Sequence, residues 1–170
     1  MSDTQDKSPK EQAPEEKAEA PALVVNGQYI KDFSFESPNA PGILSDMQGH
    51  QPDINVNVNV SASKINVSVP GNLHEVVLEI QAELKLDGKV GFIAELKYAG
   101  VFTLNVPAEH EKPVTLIECP RILFPFARQI LSEATQSGGF MPLMLQPIDF
   151  ASMYQAGLGN LQAGEDDAVN

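Results

Sequence analysis

The chain has 170 residues, with 11 Lys and Arg against 23 Asp and Glu, a formal charge of −12. That length fits one domain with tails, and 42% hydrophobic residues suffice for a core, which excludes wholesale disorder. The shortage of cations argues against a nucleic-acid backbone or an anionic membrane surface as partner, and the single cysteine, Cys119, excludes an intramolecular disulfide.

Residues 1–22 hold six acids, three lysines and three prolines, with no large aliphatic side chain beyond Met1, so they read as a disordered acidic tail. No apolar run precedes Leu23, and no segment approaches the ~20 apolar residues of a bilayer span, so a reducing cytoplasm is the expected setting. Residues 163–170, with Glu165, Asp166 and Asp167, read as a second disordered acidic tail, leaving 23–162 as the folded domain. Each tail carries a net −3, so half of the −12 belongs to the folded part.

Phe33 and Phe35 alternate with Asp32, Ser34 and Glu36, the period of a strand with one buried face. Ile54, Val56, Val58 and Val60 repeat the pattern against Asn55, Asn57 and Asn59. So do Val76 to Leu84 against Glu75, Val77, Glu79, Gln81 and Glu83, and Phe92 to Tyr98 against Ile93, Glu95 and Lys97. Between the last two runs, a two-residue turn at Asp87-Gly88 would pair Ile80 with Glu95 and Leu78 with Lys97, placing charge on the core face. A three-residue loop, Leu86-Asp87-Gly88, with Gly88 as a bulge, pairs Leu78 with Leu96 and Ile80 with Ala94 and is preferred. It makes Glu79 the direct neighbour of Glu95. The outer face then collects Glu75, Glu79, Glu83 and Glu95, joined by Asp32 and Glu36 if the first strand enters the same sheet. It is either a solvated polar face or a docking surface for a basic partner, and Ile93 beside Glu95 suits the second.

After Cys119-Pro120 the period changes to three and four: Ile122, Leu123, Phe126, Ala127, Ile130, Leu131 and Ala134 mark an amphipathic helix ended by Gly138-Gly139. Pro125 either opens this helix or kinks one that began near Pro120. A second helix starts with Asp149 as N-cap and carries Phe150, Met153, Tyr154, Leu158 and Leu161, weakened by Gly157 and Gly159 and expected to be mobile. The apolar stretches Phe140–Ile148 and Pro38–Leu44 are broken by prolines. They either pack on the core or line a groove for extended apolar peptides.

No chemistry assembles along the chain. His50, His74 and His110 are scattered without metal-ligand spacing, no phosphate loop or nucleophile elbow occurs, and Cys119 has no adjacent base. The expectation is a protein without cofactor or metal that is not an enzyme.

Three stretches are more specific. Tyr29-Ile30-Lys31-Asp32-Phe33-Ser34-Phe35-Glu36-Ser37-Pro38-Asn39-Ala40-Pro41 closely resembles the opening motif of the SecB family of bacterial protein-export chaperones. Cys119-Pro120-Arg121-Ile122-Leu123-Phe124-Pro125-Phe126-Ala127-Arg128 resembles a second motif of that family. Phe140-Met141-Pro142-Leu143 through Pro147-Ile148-Asp149-Phe150 resembles a third, in family order and spacing. The similarity spans about residues 23 to 163.

This resemblance implies an α+β protomer, a four-stranded antiparallel sheet packed with two helices, assembling as a homotetramer that is a dimer of dimers. It implies an ATP-independent holdase that keeps precursor proteins unfolded and delivers them to the SecA motor. A non-export peptide-binding adaptor on the same fold is the alternative. Carried over by position, the motor site falls on Asp32, Glu36, Ile93 and Glu95. The client groove falls on Pro41, Ile43, Leu44, Met47, Phe150, Met153 and Tyr154. The chain departs from the family pattern in its long charged N-terminal tail, in the absence of Trp from the crossover between Gly42 and Pro52, and in the extra acid Glu79.

Overall fold

The computed structural model describes residues 20–66 and 71–157. Most of both expected tails, together with Leu158 and Leu161, lies outside the described residues. Four strands form one antiparallel sheet: β1 (Leu23–Glu36), β2 (Asp53–Lys64), β3 (Leu73–Leu86) and β4 (Lys89–Leu104), in spatial order β1-β4-β3-β2. The α+β class expected from the sequence is therefore observed, and every strand is longer than its alternating run. A one-turn helix, α1 (Gly42–Asp46), interrupts the crossover from β1 to β2, where an irregular loop is expected. It forms because Ile43 has a pocket to fill and is 2% exposed.

Strand parity survives in β3 and β4, whereas Phe33 of β1 and Ile54 of β2, expected on buried faces, are 37% and 49% exposed on the two edge strands of the sheet. Val76, Leu78, Ile80, Ala82, Leu84 and Leu86 of β3 are buried, as are Phe92, Ala94, Leu96 and Tyr98 of β4. The register of the β3–β4 hairpin is different from the one expected. Asp87 (φ 49°) and Gly88 (φ 79°) form a two-residue turn with both residues in the left-handed region, the conformation whose twist suits a hairpin. Parity is then restored by one extra residue in β4, Gly91, since Lys85 pairs with Val90 but Leu84 with Phe92. A Cβ at Gly91 would lie 2.5 Å from Leu84 Cδ2 and 3.3 Å from Phe140 Cε1, so only glycine fits the bulge without displacing core. Ile80 consequently opposes Leu96, and Leu78 opposes Tyr98. Glu79 faces Lys97 rather than Glu95, with Nζ and Oε1 3.8 Å apart, which removes the expected like-charge pair.

Helical structure covers one face. It starts well before Cys119: α2 (Ala108–Pro113) runs into a π-helical turn (Val114–Glu118), in which the Cys119 N–H donates to the Val114 carbonyl, and then into α3 (Cys119–Ser137). Pro120 sits in the first turn of α3, and Pro125 lies inside it, so the helix that began near Pro120 is the one observed. The stop is the double-glycine motif: Gly139 (φ 88°) donates to the Gln136 carbonyl and the Phe140 N–H to that of Thr135. The segment between the helices is not helical. It buries Phe140, Leu143 and Leu145 and leaves Met141 and Met144 exposed. A final helix occupies residues 150–157, with Asp149 as its cap: Oδ1 accepts the Ser152 N–H at 3.0 Å.

Candidate functional site

Among the described residues no helix covers the outer face of the sheet, and the register arranges its side chains in rows. Glu36, Ile93, Glu83 and Asn55 form one row across β1, β4, β3 and β2. The next row is Ser34, Glu95, Gln81 and Asn57, and the third is Asp32, Lys97, Glu79 and Asn59. Asp32, Glu36, Ile93 and Glu95 are thus brought onto one face of two adjacent strands. Glu36 and Glu95 are exposed, and Ile93 is half-buried between Glu36 and Glu83. Asp32 differs from Glu36 and Glu95 because its cross-strand neighbour is a cation, Lys97. Glu83 is partly neutralised by Lys85 at 3.1 Å, and Glu95 accepts a hydrogen bond from Gln81 Nε2 at 3.1 Å. A shallow hollow of about 180 Å³ lies here, walled by Asn55, Asn57, Gln81, Glu83, Ile93 and Glu95. The amides of β2 and β3 are the part that sequence reasoning leaves out of the site, because only the register puts them beside Ile93.

At the far end of this face Glu75 takes the Lys31 ammonium at 2.8 Å and the Tyr29 hydroxyl. Both bonds hold the Glu75 carboxyl below the usual carboxylate range, and the carboxylate pushes the Tyr29 phenol up to about 12. That carboxylate is occupied, so the acids free to meet a partner lie around Ile93.

On the other side of the sheet, Phe150, Met153 and Tyr154 line a hollow of about 230 Å³ with Asn59, Val60, Lys112 and Leu116. Phe150 is 1% exposed and meets Phe124 edge to face at 6.1 Å, so it is the anchor of the final helix. Met153 and Tyr154 keep accessible surface. Pro41, Ile43, Leu44 and Met47 are elsewhere, next to the β3–β4 turn, where Ser37 and Asn39 bond the Gly91 and Val90 carbonyls at 2.9 Å. Ile43 is core, Leu44 and Met47 pack on it while half-exposed, and Pro41 is exposed. None of the four walls the hollow under the final helix.

Among the described residues catalytic groups do not converge. Cys119 is buried, and burial with the nearby Glu118 pushes its thiol up to about 12, the opposite of an activated nucleophile. Among the described residues no three His, Cys, Asp or Glu side chains group as metal ligands, and no helix is long and apolar enough to cross a membrane.

The family model described as preprotein translocase subunit SecB matches residues 16–160. The chain is 51% identical over 148 residues to the protein-export protein SecB of Paramagnetospirillum magneticum, which covers 87% of this chain and 93% of that one. It is 49% identical over 152 residues to the SecB of Rhodospirillum rubrum, covering 89% and 90%. Among solved structures, a SecB-like chaperone of Mycobacterium tuberculosis, determined in complex with a peptide from an antitoxin, shares the fold at a TM-score of 0.56 and 15% identity. The match covers 75% of this chain and 91% of that one. With a family match over most of its length and about half its residues shared with curated relatives, the chain belongs to the SecB family of protein-export chaperones, which are not enzymes.

Proposed function

We propose that this chain is an ATP-independent holdase of the cytoplasm that binds precursor proteins in unfolded form and passes them to the SecA motor through the outer face of its sheet. The observation that carries the reading is the row Glu36–Ile93, with Glu95 one row away: carboxylates around a half-buried isoleucine on a face that no helix among the described residues covers. An aliphatic side chain there gains a contact only when a partner covers it, and the carboxylates favour a basic one. Client binding falls to the apolar side. Met153 and Tyr154 by the final helix, and Pro41, Leu44 and Met47 in the crossover, offer adaptable surface, while Ile43 and Phe150 support it from the core.

A homotetramer, a dimer of dimers, supplies several such surfaces to one chain and raises avidity without strong single contacts. Support for self-association comes from the apolar strip of Ile30 (51% exposed), Phe126 (48%) and half-buried Ile130, a water-facing patch on the helical side of the sheet. The test is charge reversal. Glu36→Lys with Glu95→Lys is expected to abolish SecA binding in a titration while leaving an unfolded precursor bound. Added salt is expected to weaken SecA binding and leave precursor binding unchanged. Undiminished SecA binding by the double variant rejects the site. Binding of one dedicated client in place of many unrelated precursors rejects the export reading in favour of a peptide adaptor.

A further inference from the structure

Two buried side-chain atoms without a hydrogen-bond partner among the described residues, Asn72 Oδ1 and His74 Nδ1, occur together beneath α2. Buried polar atoms are nearly always paired, so two orphans at one place need a reason. α2 buries none of its own residues. The π-helical turn that follows packs Val114 and Ile117 on the core and buries Thr115, whereas α2 itself meets the sheet through Glu111, whose carboxylate accepts the Asn72 amide through Oε1 and stands 3.7 Å from His74 Nε2 through Oε2, too far for a hydrogen bond. The segment continues into the π-helical turn, where the regular ladder is already broken.

This segment also divides two hollows. Lys112 and Leu116 line both the hollow under the final helix, about 230 Å³, and a second one of about 520 Å³ that contains His74, Glu111, Thr115 and Ser61 to Ser63. Val60 is common to both walls. We propose that α2 and its π-helical turn form an acid-released strap: protonation of His74 frees residues 108–118 from the sheet and merges the two hollows into one longer groove along β2.

The charges around the ring set the direction. Glu111 and Lys112 face it from α2, Lys64 stands directly opposite on β2, and its β4 partner is the apolar Phe102. A neutral imidazole has one N–H to place, and Glu111 is its nearest acceptor. The imidazolium has two, and a proton on Nδ1 finds no acceptor among the described residues, where that atom is buried without a partner. Burial holds the His74 pKa below the ordinary histidine value; Glu111 opposes this and Lys64 adds to it. A group with a depressed folded pKa binds protons more tightly once released, so the closed strap is fully stable above the ordinary pKa and loses stability as pH falls through it.

The coupling to clients rests on the groove reading above; the strap does not. The experiment is hydrogen exchange across residues 108–118 of the full chain at about pH 7.5 and about pH 5.5, corrected for intrinsic rates, with binding of an unfolded precursor measured alongside. Protection is expected to fall about fivefold or more in acid in the native chain and to change less than about twofold in His74→Gln. An equal acid effect in His74→Gln, or none in the native chain, overturns the strap. Should that variant fold poorly, a proton NMR titration of the native chain decides. The His74 ring and the exchange of 108–118 must share one midpoint, and separate midpoints overturn the proposal. Precursor affinity is expected to rise in acid only in the native chain; a flat affinity beside an opened strap rejects the groove and keeps the strap.

Discussion

The helical layer is fastened to the sheet at one end and only rests on it at the other. At the C-terminal end of α3, the fully buried Thr135 hydroxyl donates to the Leu131 carbonyl and accepts the Leu143 N–H, both at 2.9 Å. Phe92 stacks on Phe35 at 5.6 Å and meets Phe140 edge-on at 5.1 Å. At the other end α2 buries nothing, and His74 and Asn72 each leave an atom unpaired. Both ends enclose polar groups within an apolar layer. The difference is satisfaction: a buried hydroxyl with every bond made locks two segments together, whereas a half-met cluster leaves its segment free to leave.

The strongest way to break this comparison is to truncate the anchor of each end. Phe92→Ala is expected to cost about 3–5 kcal/mol, from lost transfer energy plus the cavity left between Phe35 and Phe140. Leu116→Ala, a half-buried side chain on the π-helical turn, is expected to cost about 1–2 kcal/mol, since less area leaves water on folding. Urea midpoints at constant m-value measure both. Equal losses would mean that the two ends are held alike.

A finer contrast isolates the polar bonds. Thr135→Val keeps the shape and strands the Leu143 N–H in the interior, at an expected cost of about 1–3 kcal/mol. Thr115→Val removes only a bond to the Lys112 carbonyl, 3.1 Å away on exposed α2, and is expected to cost about 0.5–1 kcal/mol. Thermal unfolding of the two variants reads the difference, and a reversed order would place the tighter fastening at α2.

Parity explains what was legible before the structure. An alternation of period two assigns each side chain to a face whatever its partner, so Glu36, Ile93 and Glu95 share the outer face in any register that keeps Leu96 inside. Register itself depends on Gly91, whose bulge lies three residues beyond the turn and is compelled by packing against Leu84 and Phe140. This is why the neighbours Glu83, Asn55 and Asn57 were not legible as part of the site. Helix 108–118 was hidden for a different reason. Pro107, Pro113 and Pro120 all argue locally against helix, yet Pro107 caps α2, Pro120 sits in the first turn of α3, and a π-helical turn joins the two. His74 and Glu111 meet only through tertiary structure, so a scan for nearby metal-ligand or base spacing passes over them.

The smallest effect belongs to the final helix, which tests whether fastening is graded or all-or-none. Asp149 accepts the Ser152 N–H at 3.0 Å and the Ser152 hydroxyl at 2.7 Å, and these bonds hold its carboxyl below the usual carboxylate range. A depressed folded pKa contributes stability above the unfolded value of 3.8 that is lost as pH falls below it. The side chain is exposed, so screening keeps the contribution local. Asp149→Ala is expected to speed hydrogen exchange at residues 152–155 and leave the global urea midpoint in place, because Phe150 still anchors the helix on Phe124. Asp149→Asn keeps the acceptor and is expected to restore exchange at neutral pH while abolishing its acid dependence. A global shift from Asp149→Ala as large as that from Phe92→Ala would show a single cooperative unit, with no gradient for a strap to exploit.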